Sequence, residues 1–154
     1  MMLEVGQPCP QFSTTLDNGD SLTTDQLLGR PFAVFFYPRA DTPGCTKESI
    51  AFSALKPQFD ALGVRVLGAS KDPVAKQGKF RDKHSLTVEL IADDESDVCE
   101  QFGVWQEKSM YGKTYMGVTR STFLFNANGV LVESWPKVKV DGHPEAVLQA
   151  AQSL

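Results

Sequence analysis

The segment "PFAVFFYP", residues 31–38, constrains the fold of this chain more than any other stretch. Six consecutive apolar or aromatic residues stand between two prolines, with no polar residue among them to face water. A strand built from such a run has no wet side. It belongs in the interior of an α/β sheet, covered on both faces. The run is also far too short to cross a bilayer.

The period changes directly after it. From Thr46, apolar residues fall at Ala51, Leu55, Phe59 and Leu62, with Lys47, Glu48 and Gln58 between them, which is helical spacing. Pro57 predicts a kink or restart near Lys56, and Gly63 predicts the end of the helix. "VRVLGAS" (64–70) reads as the next strand. Asp72-Pro73 then reads as a helix start, with a capping carboxylate and a proline at the first helical position.

Upstream, residues 8–16 read as extended, Asn18-Gly19 as a turn, and Thr24 or Asp25 as the cap of a short helical turn ending at Gly29. Downstream, "LTVELIAD" is a short strand, and "DESDVCEQFGV" a short helix with Val98, Cys99 and Phe102 on one face. "QEKSMYGKTYMGVT" reads as a glycine-punctuated loop, "RSTFLFNANGVLVESW" as a hairpin about Asn128-Gly129, and "HPEAVLQAAQSL" as a closing helix. Strands and helices alternate early and a hairpin comes late. The pattern predicts one α/β domain over residues 1–154, a mixed sheet with helices on both faces.

Several function classes drop out on composition. A net charge of −4 disfavours nucleic acid and anionic membranes, which need a basic face. "KFRDKH" (79–84) is a basic helix face of the kind that is usually solvated. The N-terminus lacks a basic start followed by an apolar run, so no secretory signal is read and the cytoplasm is the expected location. The three cysteines, Cys9, Cys45 and Cys99, are widely spaced and form no Cys-x-x-Cys, while His84 and His143 stand alone. Neither a metal site nor a cofactor is expected, which also disfavours a metal or haem peroxidase. A disulfide scaffold does not suit a cytosolic chain.

Cys45 stands apart from the other two. It follows Thr42-Pro43-Gly44 at the point where the central strand gives way to the long helix. The thiolate is the nucleophilic form of cysteine, and a free thiol titrates near ~8.5. A helix N-terminus offers partial positive charge and unpaired N–H groups that favour the anion. Gly44 allows close approach of the backbone to a ligand, Pro43 stiffens it, and Thr42 can set its hydroxyl beside the sulfur. The competing reading is a small buried thiol filling core space. Packing alone gives no reason for the proline and glycine, so the activated reading is preferred.

"YPRADTPGCTKE" resembles the active-site signature of the peroxiredoxins, Pro-x-x-x-Thr-x-x-Cys, carried here by Pro38, Thr42 and Cys45. "VCEQFGVWQEKSMYGKTYMGVTRSTFLF" extends the likeness to the bacterioferritin-comigratory protein, or PrxQ, subfamily, over nearly the whole chain. The resemblance implies a thioredoxin fold with an added N-terminal β-hairpin and reduction of hydrogen peroxide and organic hydroperoxides. It implies that Cys45 attacks the peroxide and becomes a sulfenic acid, that Thr42 hydrogen-bonds the peroxide, and that Pro38 shields the pocket. Arg120, opening "RSTFLF", matches the family's active-site arginine; the plain alternative is a solvated strand-end cation. Arginine in that place would stabilise both the thiolate and the charge that grows as the O–O bond breaks.

Glu48 lies one helical turn after Cys45, where a free carboxylate would disfavour the thiolate. Either it pairs with Arg120 and orients it, or it is an exposed helix glutamate.

Relatives of this kind often carry a resolving cysteine five residues after the first, or in the following long helix. Here those places hold Ile50 and the cysteine-free "DPVAKQGKFRDKHS". Cys99 is the remaining candidate, although its apolar stripe also reads as a buried, inert thiol, and Cys9 reads as packing. The working expectation is a one-cysteine cycle. In it an external thiol, thioredoxin or glutathione with glutaredoxin, reduces the sulfenic acid before peroxide drives it further. A peroxide sensor that passes oxidation to a partner uses the same thiolate; a non-catalytic binder would not need Pro38, Thr42, Cys45 and Arg120 together. Met110, Tyr111, Tyr115 and Met116 read as packing, with a wall of the pocket or an apolar landing surface for a reductant as the alternatives. The chain is expected to be a monomer.

Overall fold

In the computed structural model, which describes all 154 residues, the run after Pro31 is a strand whose five residues are all buried. The elements in chain order begin with β1 (Ser13–Leu16), β2 (Ser21–Thr23), α1 (Thr24–Leu27), β3 (Phe32–Phe36) and α2 (Pro43–Ala61). They continue with β4 (Arg65–Ser70), α3 (Val74–His84), β5 (Glu89–Ala92) and α4 (Val98–Gln101). The chain closes with β6 (Trp105–Met110), β7 (Lys113–Val118), β8 (Ser121–Phe125), β9 (Leu131–Trp135) and α5 (His143–Ala151).

Seven strands form one mixed sheet in the order β2-β1-β5-β4-β3-β8-β9. β3 runs parallel to β4 and antiparallel to β8, and β4 runs parallel to β5. Alternate residues of β3 serve opposite cores, as the period of two demands. Phe32, Val34 and Phe36 join one apolar cluster, and Ala33, Phe35 and the following Tyr37 join the other. Phe52 and Phe59 of α2, Phe80 of α3 and Val147 and Leu148 of α5 complete the second cluster. Leu27, Val98, Cys99, Phe102, Val104 and Val118 complete the first.

Several local expectations shift. The fully buried residues of α2 are Cys45, Glu48, Ser49, Phe52 and Phe59; of the expected stripe Phe59 is buried, Leu55 packs partly buried against the core, and Leu62 is exposed. Glu48 and Ser49 are buried polar residues, so hydropathy missed the N-terminal part of the buried face. The helix runs unbroken through Pro57. Proline cannot bond the carbonyl four residues back, and that carbonyl, Ser53 O, accepts a hydrogen bond from the Thr87 hydroxyl at 3.2 Å instead. Thr23, not Thr24 or Asp25, caps α1, with the Gln26 side chain accepting from its N–H at 2.9 Å. Pro73 is the cap of α3 rather than its first helical residue, and the Asp72 carboxylate is turned elsewhere. The segment read as a loop at 105–118 is a β6–β7 hairpin, turned by Tyr111 (φ 51°) and Gly112 (φ 75°). Two successive positive φ angles make a two-residue turn that suits the strand twist. The basic face of α3 is also not simply solvated. Arg81 bonds Asp17 and the carbonyls of Leu86 and Val88, while Lys83 and His84 hold Asp41.

Candidate active site

The site lies at the C-terminal edge of the parallel strands β3 and β4, where loops leave the sheet. β3 ends at Phe36 and hands over to Tyr37-Pro38. Because β8 runs antiparallel in register with Phe36 opposite Ser121, Arg120 arrives beside the same exit. Lys71 and Asp72 follow β4 at that edge. α2 then begins, with Thr42 as its cap, Pro43 in the first turn and Cys45 one residue further in than Gly44.

Cys45 is 1% exposed. Arg120 Nη2 lies 3.2 Å from its sulfur, and Nη1 donates to Glu48 Oε1 at 2.8 Å. One guanidinium thus spans the thiol and the carboxylate in a planar fork. Gly44 leaves the space for it: a Cβ there would sit 3.2 Å from Nη2. Burial opposes the arginine's charge, and the Cys45 sulfur and Glu48 more than offset this, raising its pKa. Glu48 is wholly buried, and its Oε2 has no partner. Burial pushes its carboxyl up to about 7 against the opposing pull of Arg120.

The Thr42 hydroxyl donates to Arg39 O at 2.8 Å, so its hydrogen is committed and its oxygen is left to accept. That cleft, about 540 Å³, is lined by Pro38, Thr42, Cys45 and Arg120 on one side. Trp105, Lys108, Tyr115 and Met116 of the hairpin line the other. Met110, Tyr111, Tyr115 and Met116 are exposed, Tyr111 at 97%, so packing is not what they do.

A polar network missed in the sequence holds the loop between Tyr37 and Thr42. The Tyr37 hydroxyl donates to Gln77 Oε1 at 2.7 Å, and Gln77 Nε2 donates to Ser70 Oγ at 2.9 Å. Ser70 Oγ donates to Asp72 Oδ2 at 2.6 Å, and that oxygen also accepts from Ala40 N–H at 2.7 Å. Asp41, at φ 62°, is clasped by Lys83 at 2.9 Å and His84 at 2.8 Å. The hydrogen bond from His84 leads in holding its carboxyl below the usual range. These partners come from three distant segments, and no local pattern announces them.

The chain matches the AhpC/TSA family over residues 5–134. It is 38% identical over 154 residues to the peroxiredoxin Bcp of Bacillus subtilis, covering 100% of this chain and 98% of that one. The chain belongs to the peroxiredoxin family. The Bcp protein of Xanthomonas campestris is 41% identical over 139 residues, 90% of this chain and 87% of that one. A solved structure of X. campestris peroxiredoxin Q superposes with a TM-score of 0.87 at 38% identity, covering 98% and 96% of the two chains. A PrxQ structure from Xylella fastidiosa gives 0.93 at 32% identity, covering 99% and 98%. One X. campestris structure is described for alkyl peroxide reduction by its bacterioferritin comigratory protein. The thioredoxin-like peroxiredoxin fold of this chain follows from the same superpositions.

The other two thiols of this peroxiredoxin lie away from the site. Cys9 and Cys99 belong to the apolar cluster on the opposite face of the sheet from Cys45. Burial pushes the Cys9 thiol up to about 12. Burial, with Asp93 beside it, pushes the Cys99 thiol far above its ordinary range. Ile50 stands exposed on α2. No helix is long and apolar enough to cross a membrane.

Proposed function

We propose that Cys45 is the peroxidatic cysteine of a thiol-dependent peroxidase acting on hydrogen peroxide and organic hydroperoxides. The carrying observation is the Arg120 fork, 3.2 Å from the sulfur and 2.8 Å from Glu48. The thiolate attacks the terminal peroxide oxygen. An S–O bond forms and the O–O bond breaks; sulfur is oxidised by two electrons to the sulfenic acid, and RO⁻ leaves. Arg120 stabilises the anion before attack and the charge spread over the breaking bond. Thr42, its hydrogen spent on Arg39 O, accepts the hydrogen bond of the incoming O–OH. Pro38 keeps water off the sulfur, Gly44 makes room for the fork, and Glu48 is a positioning residue beneath Arg120.

The resolving step belongs to an external thiol, thioredoxin or glutathione with glutaredoxin. Cys99 and Cys45 sit in different core layers with the sheet between them, which supports a one-cysteine cycle. A disulfide requires Cα atoms within about 7 Å. Three free thiols suit a reducing cytoplasm, and we infer a single-domain monomer there.

The test is peptide mass spectrometry after one equivalent of hydrogen peroxide, on wild type and Cys45→Ser. The expected product carries one oxygen on Cys45, is absent in the variant, and Cys99→Ser keeps full turnover with an external reductant. A Cys45–Cys99 disulfide, or loss of turnover in Cys99→Ser with Cys45 oxidation intact, would move the resolving role to Cys99.

A further inference from the structure

The β6–β7 hairpin pairs only with itself, outside the main sheet, and walls the Cys45 cleft. From it Lys108 reaches inward. Its Nζ donates to Val118 O at 2.5 Å, and its stem lies across Gly117. A Cβ at Gly117 would stand 3.1 Å from Lys108 Cδ, so the glycine is what lets the lysine lie there.

The charge around it is unbalanced. Lys71 and Lys76 line the same cleft, but Lys71 pairs with Asp93 and Glu100, and Lys76 with Asp72. Lys108 is half-buried, lines the cleft together with Arg120, and has no carboxylate partner. Arg120 has Glu48 beneath it, which leaves Lys108 as a cation of the cleft without a carboxylate, an arrangement that suits an anion arising there. The reaction creates one, the oxygen that leaves the peroxide.

Proton supply narrows the choice among the cations and the threonine that line the cleft. Arg120 stays charged and cannot release a proton. Thr42 has its hydrogen on Arg39 O. Lys71 and Lys76 are each already engaged by carboxylates. Burial and the Arg120 charge depress the Lys108 ammonium, against the opposing effect of the Cys45 sulfur.

We propose that Lys108 is a catalytic residue, the proton donor to the leaving oxygen. This rests on the peroxidase reading above. As the S–O bond forms and the O–O bond breaks, RO⁻ takes a proton from the Lys108 ammonium and departs as ROH. The neutral amine regains a proton from water before the next turnover.

The test follows Cys45 oxidation by stopped-flow fluorescence, with Trp105 in the cleft wall as reporter, in wild type, Lys108→Met and Lys108→Arg. Two oxidants are compared. Ethyl hydroperoxide releases a strongly basic alkoxide, and peracetic acid releases acetate, which needs no proton. Both variants are expected to slow ethyl hydroperoxide by about 100-fold or more, the usual scale of general-acid catalysis, and to leave peracetic acid unchanged. Gly117→Ala, which displaces the lysine, is expected to show the same split. Equal losses on both oxidants, a wild-type rate in Lys108→Arg, or no loss in Lys108→Met would each overturn the proposal. If wild type fails to oxidise Cys45 with either reagent, the peroxidase reading itself falls.

Discussion

Replacing Glu48 by glutamine isolates the electrostatics beneath Arg120 while keeping an oxygen for its hydrogen bond. In the native protein burial, opposed by Arg120, lifts this carboxyl from its ordinary 4.5 to about 7. Between those values the native state keeps a proton that the unfolded chain has already lost. Stability is therefore fully present below pH 4.5 and falls as pH rises through about 7. At about 1.4 kcal/mol per pH unit, that window is worth about 3 kcal/mol. Glutamine has no such proton, so Glu48→Gln lacks the slope. Its unfolding free energy, relative to the parent, should improve by about 3 kcal/mol between about pH 4.5 and about pH 8. Urea unfolding across that range reads it directly, in a Cys45→Ser background so that no active-site thiol titrates. Parallel pH profiles for the two proteins would refute the reasoning, because they would mean that the buried carboxyl titrates alike folded and unfolded.

Gly44→Ala places a Cβ 3.2 Å from Arg120 Nη2. It should slow Cys45 oxidation by about 10-fold, which corresponds to about 1.4 kcal/mol of lost alignment, with urea stability little changed. Thr42→Val should cost about 10- to 100-fold in the same rate, the scale of one hydrogen bond made in the transition state, while Thr42→Ser recovers most of it. Asp72→Ala leaves the Ala40 N–H and Ser70 hydroxyl without their acceptor. It should lower unfolding free energy by about 2 kcal/mol in urea titrations and slow peroxide reduction, because the loop carrying Thr42 loses its tie.

What the sequence made legible follows from how local each signal is. β3 is a contiguous run, so its burial on both faces could be read from six letters. Cys45, Thr42 and Pro38 lie within eight residues of one another, and Arg120 opens a strand whose apolar residues fix its register. The β6–β7 hairpin escaped because its residues are mostly exposed and offer no buried face to produce a period of two. Only Gly112 hinted at the turn, and Tyr111 at positive φ could not be anticipated. The buried face of α2 was only partly read for the opposite reason. Glu48 and Ser49 are polar letters in a buried position, and Glu48 is buried because Arg120, seventy-two residues later, comes to meet it. Gln77 and Asp72 are hidden in the same way, since their partners belong to other elements.

The cysteines are divided by the sheet, one in one core layer and two in the other. Under a one-cysteine cycle that division has a consequence for the cell. An enzyme with an internal partner can bank its oxidation as a disulfide and wait. On the proposed cycle there is no such store, so the lifetime of the sulfenic acid is set by how much free thiol surrounds it. When thiol is plentiful the site clears after each peroxide. When thiol runs short, a second peroxide reaches the same sulfur and carries it to the irreversible sulfinic state. The molecule then behaves as a fuse as well as a catalyst, and the fraction blown records how far peroxide has outrun reductant.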